Sequence, residues 1–355
     1  MNQDREEDSL PPSLSESDWK EILSSIEQSR NTKTPKCVPI IGEEASTPWI
    51  LSSRDRARKW ATEHEFPLEE SSSQLSRVAQ FLVLDEKESP KEILRKELEN
   101  IKPPNFSSPK FADTSYSILA RLNLPVYITT NYDLFMEAAL EAEGKKPVSD
   151  FCRWNDDLRT PLERAGIQDL FSKKYIPKPE NPLVYHLYGL YCLKPEYRSV
   201  QVGKKGWFHD IDTEMSLASS LVLTEEDYIN FALSLSSEGI VDLVPSIISI
   251  SLSMSSLLFI GYNLDDIGFR IILQGILKSP PVVGRTSLAV QLPPGGNPKR
   301  AIEYLSKYTR RMFHTRIYWG DSSNFCEELR RQLENYERQQ EELRRQLENY
   351  KRQQA

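Results

Sequence analysis

Side chains able to do chemistry gather where short apolar runs of this 355-residue chain end. The run 126-VYIT-129 passes into Thr130, Asn131, Tyr132 and Asp133; 183-LVYHLYG-189 carries His186 and closes on Gly189. The run 37-CVPII-41 meets 42-GEEAS-46, and 257-LLFIG-261 meets 262-YNLDDIGFR-270. Ligands of open α/β sheets bind at the carboxyl ends of the strands, so four such ends on one sheet would converge on one site. The Asn131 amide can donate to and accept from a sugar hydroxyl or hold a water; its other reading is a helix cap. His186 is either a satisfied core histidine or an acid/base group near neutral pH. Gly42 opens either an ordinary tight turn or a cradle of backbone N–H groups for a pyrophosphate. Neither a full dinucleotide fingerprint nor a GxxxxGK[ST] loop accompanies it. Asp133, Asp265 and Asp266 suit ribose contacts or capping, and Arg153 and Arg270 suit pairing with acids or with phosphate. Glu225, Glu226 and Asp227 open a helix, a structural placement. His64, His209 and His314 lack a comparable setting and read as core or surface residues.

The elements that must position these groups follow from patterning. Trp19, Ile22, Leu23 and Ile26 recur at helical spacing behind capping serines, and further helices are expected near 53–64, 74–85, 134–142 and through the 240s. Short apolar runs alternating with these helices, two more being 286-TSLAVQL-292 and 314-HTRIYW-319, point to an α/β fold with a mostly parallel sheet covered on both faces. Residues 155–181 and 191–218 read as irregular excursions. Residues 1–13 read as disordered, and 14–326 as the main domain. The tail 327–355 repeats itself: 327-EELRRQLENYERQQ-340 returns as 341-EELRRQLENYKRQQ-354, differing only at Glu337/Lys351. Leu329, Leu333, Tyr336, Leu343, Leu347 and Tyr350 fall on one heptad seam, either a coiled coil joining subunits or a single solvated helix.

Composition narrows the classes. With 45 basic and 52 acidic side chains the net charge is -7, which argues against nucleic acid binding driven by phosphate neutralisation. Cys37, Cys152, Cys192 and Cys326 stand apart without ligand spacing, against a zinc module or a disulfide scaffold. The acidic N-terminus does not resemble a secretory signal. The apolar stretch 239–264 contains Asp242, Pro245 and several serines, so it reads as a buried helix followed by a core strand and not as a membrane span. The expectation is a cytoplasmic protein.

Taken in order, 38-VPIIG-42 with 45-AS-46, 78-VAQF-81, 126-VYITTNYD-133, 152-CRWN-155, 184-VYHLYG-189, 221-LVLTEEDY-228, 258-LFIGYNLDDIGFR-270 and 318-YWG-320 resemble the sirtuin-like domain family of bacterial antiphage defence proteins. The resemblance implies a Rossmann-like domain with a smaller helical lobe and NAD bound in the cleft between them. It implies an NAD glycohydrolase that splits the nicotinamide–ribose bond to give nicotinamide and ADP-ribose. Asn131 and His186 match the family's catalytic asparagine and histidine. Gly42, Ala45, Ser46, Thr130, Asp133, Gly189, Gly261, Tyr262, Asn263 and Asp265 fall in its nucleotide-binding segments. NAD would be the substrate, with no other cofactor and no zinc. The expected setting is a homo-oligomer, joined through the tail and released by an activator or sensor protein, without membrane or direct nucleic acid contact. The alternative is a catalytically degenerate module that senses NAD or ADP-ribose and oligomerises. Two departures are visible. The family's glycine-alanine-glycine turn is Gly42-Glu43-Glu44 here, and the four-cysteine ribbon of sirtuin deacetylases has no counterpart in the cysteine spacing.

Overall fold

The computed structural model describes residues 14–32, 34–85, 88–155, 176–192, 217–237, 243–263, 270, 287–295 and 298–354. The elements are, in chain order, α1 (Glu16–Asn31), β1 (Cys37–Ile41), α2 (Ser53–Glu63), α3 (Leu75–Leu84), α4 (Pro90–Glu99), α5 (Ser115–Arg121), β2 (Val126–Thr129), α6 (Phe135–Ala142), β3 (Val148–Phe151) and β4 (Leu183–His186). Then follow α7 (Glu225–Ser237), α8 (Ser246–Met254), β5 (Ser256–Ile260), β6 (Ser287–Gln291), α9 (Pro298–Phe313), β7 (Thr315–Trp319) and α10 (Ser322–Gln354).

The strands form one sheet in the order β3-β4-β2-β1-β5-β6-β7, and every pairing is parallel. Both faces are covered, which is why the central strands read as unbroken apolar runs rather than as alternation. Side chains at successive positions serve opposite cores. Val38, Ile40, Ile128, Tyr185 and Phe259 pack with Phe231 of α7, Ile248 and Leu252 of α8 and Phe313 of α9. Cys37, Ile41, Tyr127, Val184, Leu258 and Ile260 pack with residues of α1, α5, α6 and α10. Pro39 sits in the central strand without an amide hydrogen. There β1 pairs with β5 along its whole length but with β2 only from Ile40 onward. The stretch expected as a buried helix and strand is α8 and β5, and no described helix is long and apolar enough to cross a membrane.

A third core belongs to the smaller helical lobe. Trp60 of α2, Val78 and Leu82 of α3 and Leu94 and Leu98 of α4 pack together and against Phe151, Leu221 and Leu223. This lobe is inserted between β1 and α5, so it rises beside the carboxyl ends of the strands. The pair Arg56–Glu97, at 2.9 Å and largely buried, ties α2 to α4.

The tail differs from its sequence reading in one respect. Helix α10 begins at Ser322, before the repeat, and Asp321 caps it by accepting from the Asn324 N–H at 2.8 Å. Leu329 and Leu333 are buried in the sheet's core, so the first copy of the repeat is packed on the domain. Only Leu343, Leu347 and Tyr350 of the second copy keep an exposed seam. The boundary expected at residue 326 thus falls inside one continuous helix. Elements not anticipated are α4, α5, β3 and α9; β3, VSDF, offers only two apolar residues to a pattern search.

Candidate functional site

Chain order reverses at β1: β2, β4 and β3 lie on one side, and β5, β6 and β7 on the other. The carboxyl ends of β1 and β5 therefore flank a topological switch point, where open α/β sheets bind ligands. Gly42 and Gly261 meet there backbone to backbone. Gly42 N–H donates to the Ile260 carbonyl at 2.7 Å, and Glu44 N–H to the Gly261 carbonyl at 3.1 Å. A Cβ on Gly42 would lie 2.5 Å from the Gly261 oxygen, and Gly261 holds a φ of 80°. Only glycine permits both the contact and the left-handed backbone.

Asn131 stands beside this pair, where β2 ends. Its backbone N–H donates to Thr129 Oγ1 at 2.9 Å. Its side-chain Nδ2 lies 3.0 Å from the Gly42 carbonyl, 2.9 Å from Ser46 Oγ and 3.0 Å from the Tyr116 hydroxyl. Carbonyl oxygens only accept, so this network assigns nitrogen to that side of the amide and turns Oδ1 the other way. Oδ1 accepts nothing from the described residues, and Asn131 lines the cleft. Behind the amide, Ser46 Oγ donates to Asp133 Oδ2 at 2.7 Å and meets the Tyr116 hydroxyl at 2.6 Å, which leaves Tyr116 as the donor to Ser46. Burial pushes the Tyr116 hydroxyl well above its usual range, which keeps it protonated. Asp133 Oδ1 accepts from the Phe135 N–H at 2.9 Å, so this carboxylate both caps α6 and anchors the amide. Burial raises its pKa against the lowering effect of those two bonds.

His186 lies one layer deeper. It is fully buried and does not line the cleft. Nδ1 is 3.2 Å from the Asn131 carbonyl oxygen and Nε2 is 2.8 Å from Glu137 Oε1, which also accepts from Ser149 Oγ at 2.7 Å. A carbonyl on one side and a carboxylate on the other suit a ring that donates twice. Burial alone would lower the His186 pKa, but the Glu137 charge and hydrogen bond, with smaller help from Asn131 and Asp133, carry it above the usual value. Glu137 was not singled out from the sequence, because a glutamate in an amphipathic helix reads as solvated. Facing the cleft from the end of β4 is Tyr188, its ring edge-on to Tyr228 and Phe231.

The cleft holds about 1380 Å³, above the usual range for small-ligand pockets and roomy enough for a dinucleotide. Ser46, Thr130, Asp133, Gly261, Tyr262 and Asn263 line it together with Asn131. Thr130 Oγ1 donates to the Tyr262 hydroxyl, which donates in turn to the Ile41 carbonyl, each at 3.1 Å. Ala45 is buried under the turn, and Gly189 backs onto Ser220; neither lines the cleft. Asp265 and Asp266 lie outside the described residues.

At the Gly42 turn the two acids have partners of their own. Glu43 accepts from the Ser53 N–H at the start of α2. Glu44 is partly buried and faces Ser322 at the start of α10; desolvation raises its pKa, while the Ser322 N–H and hydroxyl act the other way. Both carboxylates thus sit at helix amino ends, where negative charge is favoured. Arg54, exposed in the first turn of α2, lines the cleft on the same side. Arg153 pairs with Asp150 at 2.7 Å, and Glu225 with Arg77 at 2.9 Å. Asp227 pairs with Lys91 at 2.9 Å and accepts from the Thr224 N–H. Among the described residues no group of three His, Cys, Asp or Glu gathers as metal ligands.

A search among curated proteins finds none that matches the chain. A family model for the SIR2-like domain matches residues 125–313, which runs from β2 through α9 and includes Asn131, His186 and the Gly261 turn. That span is more than half of the chain, and with the parallel sheet, the switch-point cleft and the buried Asn131 network it makes this protein a member of the SIR2-like domain family.

Proposed function

We propose that the chain hydrolyses the nicotinamide–ribose bond of NAD, releasing nicotinamide and ADP-ribose. The observation that carries this reading is the Asn131 amide, pinned through nitrogen by Gly42, Ser46 and Tyr116 with its oxygen left to the cleft. In this reading NAD lies across the switch point. Its pyrophosphate rests over the Gly42 turn beside Arg54, and its nicotinamide ribose lies against Asn131. Asn131 Oδ1 accepts a hydrogen bond from the attacking water and aims it at C1′. The C1′–N bond breaks with its electron pair leaving on nicotinamide, the water oxygen bonds to C1′, and a proton passes to solvent. A fixed amide dipole, aimed before the reaction begins, stabilises the developing positive sugar without reorganisation. His186 and Glu137 act from behind as positioning residues, and Tyr188 walls the sugar end. On the family resemblance we also propose a cytoplasmic, NAD-depleting effector of antiphage defence, with a catalytic unit that starts at residue 14 and extends past 326 into the first copy of the repeat, held in check until an activator or sensor protein engages it.

The test is release of nicotinamide from NAD by the purified chain, followed chromatographically. Asn131→Ala should lower kcat by about 10²- to 10³-fold, the usual effect of removing a preorganised polar group. Arg54→Ala should raise KM with kcat little changed, the pattern for a contact made equally in ground and transition states. A kcat left unchanged by Asn131→Ala would overturn the assignment. A second reading, a sensor of NAD or ADP-ribose without turnover, is favoured by the turn itself: Glu43 holds the first N–H of α2, and Glu44 links the same turn to α10. Calorimetric binding of NAD with no nicotinamide released in the presence of cell extract would select it.

A further inference from the structure

Helix α10 carries one fourteen-residue segment twice, and the first copy shows what its apolar face packs against. Leu329 and Leu333 join the core shared with α1 and α5. Tyr336 Oη donates to Glu27 of α1 at 3.0 Å, and Glu337 pairs with Arg30 of α1 at 2.5 Å. Trp19 near the start of α1 stacks on Phe325, while Arg30 near its end reaches Glu337, so the two helices run in the same direction. Helix α1 stops at Asn31. Beyond that level the second copy presents Leu343 and Leu347 at 59% and 54% exposure, while Arg344 reaches back to pair with Glu27 of α1 at 3.5 Å. The apolar face continues where its wall ends. The single difference between the copies, Glu337 against Lys351, falls on the position that faces Arg30.

We infer that the second copy is a docking face for an amphipathic helix of another protein, one that packs as α1 does but carries a carboxylate where α1 carries Arg30. Two heptads span about 21 Å, so the occupant needs about four turns. A second copy of this chain is a poor fit in either arrangement. Its α1 is already covered by its own α10 and would bring Arg30 against Lys351. Two second copies facing each other would bring together Gln346, Lys351 and Gln353 beside the seam, with no acid there to meet Lys351; Arg344 is already paired with Glu27 of α1 at 3.5 Å. The basic flank therefore acts against self-pairing and for an acidic partner.

The experiment uses the full chain and two fluorescent peptides of residues 14–32, one native and one with Arg30→Glu, titrated by anisotropy. The Arg30→Glu peptide should bind about threefold or more tighter than the native one, the scale of an exposed ion pair replacing a like-charge contact. Lys351→Glu in the chain should reverse that order. The double variant Leu343→Glu, Leu347→Glu should abolish binding while leaving the melting temperature unchanged, because both positions are exposed. Equal affinity for the two peptides, no reversal by Lys351→Glu, or binding that survives the double variant would overturn the inference. So would a dimer in light scattering that the double variant dissolves, since the occupant would then be a second copy.

Discussion

Ser46 is the node through which Asp133 orients Asn131, and a double-mutant cycle measures that link. In the Ser46→Ala variant the Asp133 Oδ2 atom loses its donor at 2.7 Å, and Nδ2 of Asn131 keeps only Gly42 and Tyr116. Both residues of the broken bond are buried. A hydrogen bond to a charged acceptor is worth about 1.5–3 kcal/mol, so Ser46→Ala should cost about 2–3 kcal/mol where Asp133 is ionised. In an Asp133→Asn background the same bond joins neutral groups, and Ser46→Ala should cost about 1 kcal/mol. The coupling is then about 1–2 kcal/mol, above the roughly 0.5 kcal/mol within which independent sites add. The sign with pH follows from the raised folded-state pKa of Asp133. Stability linked to that proton is fully present below the unfolded value and is lost as pH rises through the folded value. Removing the Ser46 donor raises the folded value further, so the Ser46→Ala penalty should grow with pH and level off once Asp133 is ionised. Urea unfolding of the four proteins between pH 4 and pH 8 reads both quantities. Additive costs, or a penalty that shrinks as pH rises, would refute the link from Asp133 to Asn131.

Two further expectations follow from burial and charge. Leu329→Ala should destabilise by about 2–5 kcal/mol, as fully buried leucines do, whereas Leu343→Ala should stay within about 0.5 kcal/mol. Equal effects in thermal melts would return the whole tail to one solvated helix, and truncation after residue 326 should unfold the domain rather than merely release a subunit contact. For the His186–Glu137 pair, the raised His186 pKa makes its share of stability full below the ordinary histidine value and lost as pH climbs through the folded value. Glu137→Gln should therefore lower the melting temperature most near pH 6 and progressively less toward pH 9; a difference constant across that range would show that the pair carries no net proton.

Much of the fold was legible because a buried parallel strand must be apolar on both faces. CVPII, VYIT, LVYH and SLLFI announce themselves without alternation, and they form the middle of the sheet. The edge strand VSDF did not, since a four-residue edge with two polar positions carries too little signal. Helix α4 escaped because charged residues outnumber apolar ones along it, and α9 because charged residues are interspersed all along its apolar ones.

The candidate site divides the same way. Sequence order and strand ends sufficed to place Asn131, Asp133, Gly42 and Gly261 at one edge, since carboxyl ends of parallel strands must lie together. What residue types could not decide is which way each group faces. Strand position put His186 inside, against Glu137, and left Tyr188 to the cleft. Helix amino ends, which exist only once α2 and α10 are packed, took up the acids of the Gly42 turn. The repeat of the tail was plain in the sequence, but both copies have the same seam. Only the end of α1 decides that the first is core and the second is surface, because burial depends on which neighbour the fold brings alongside.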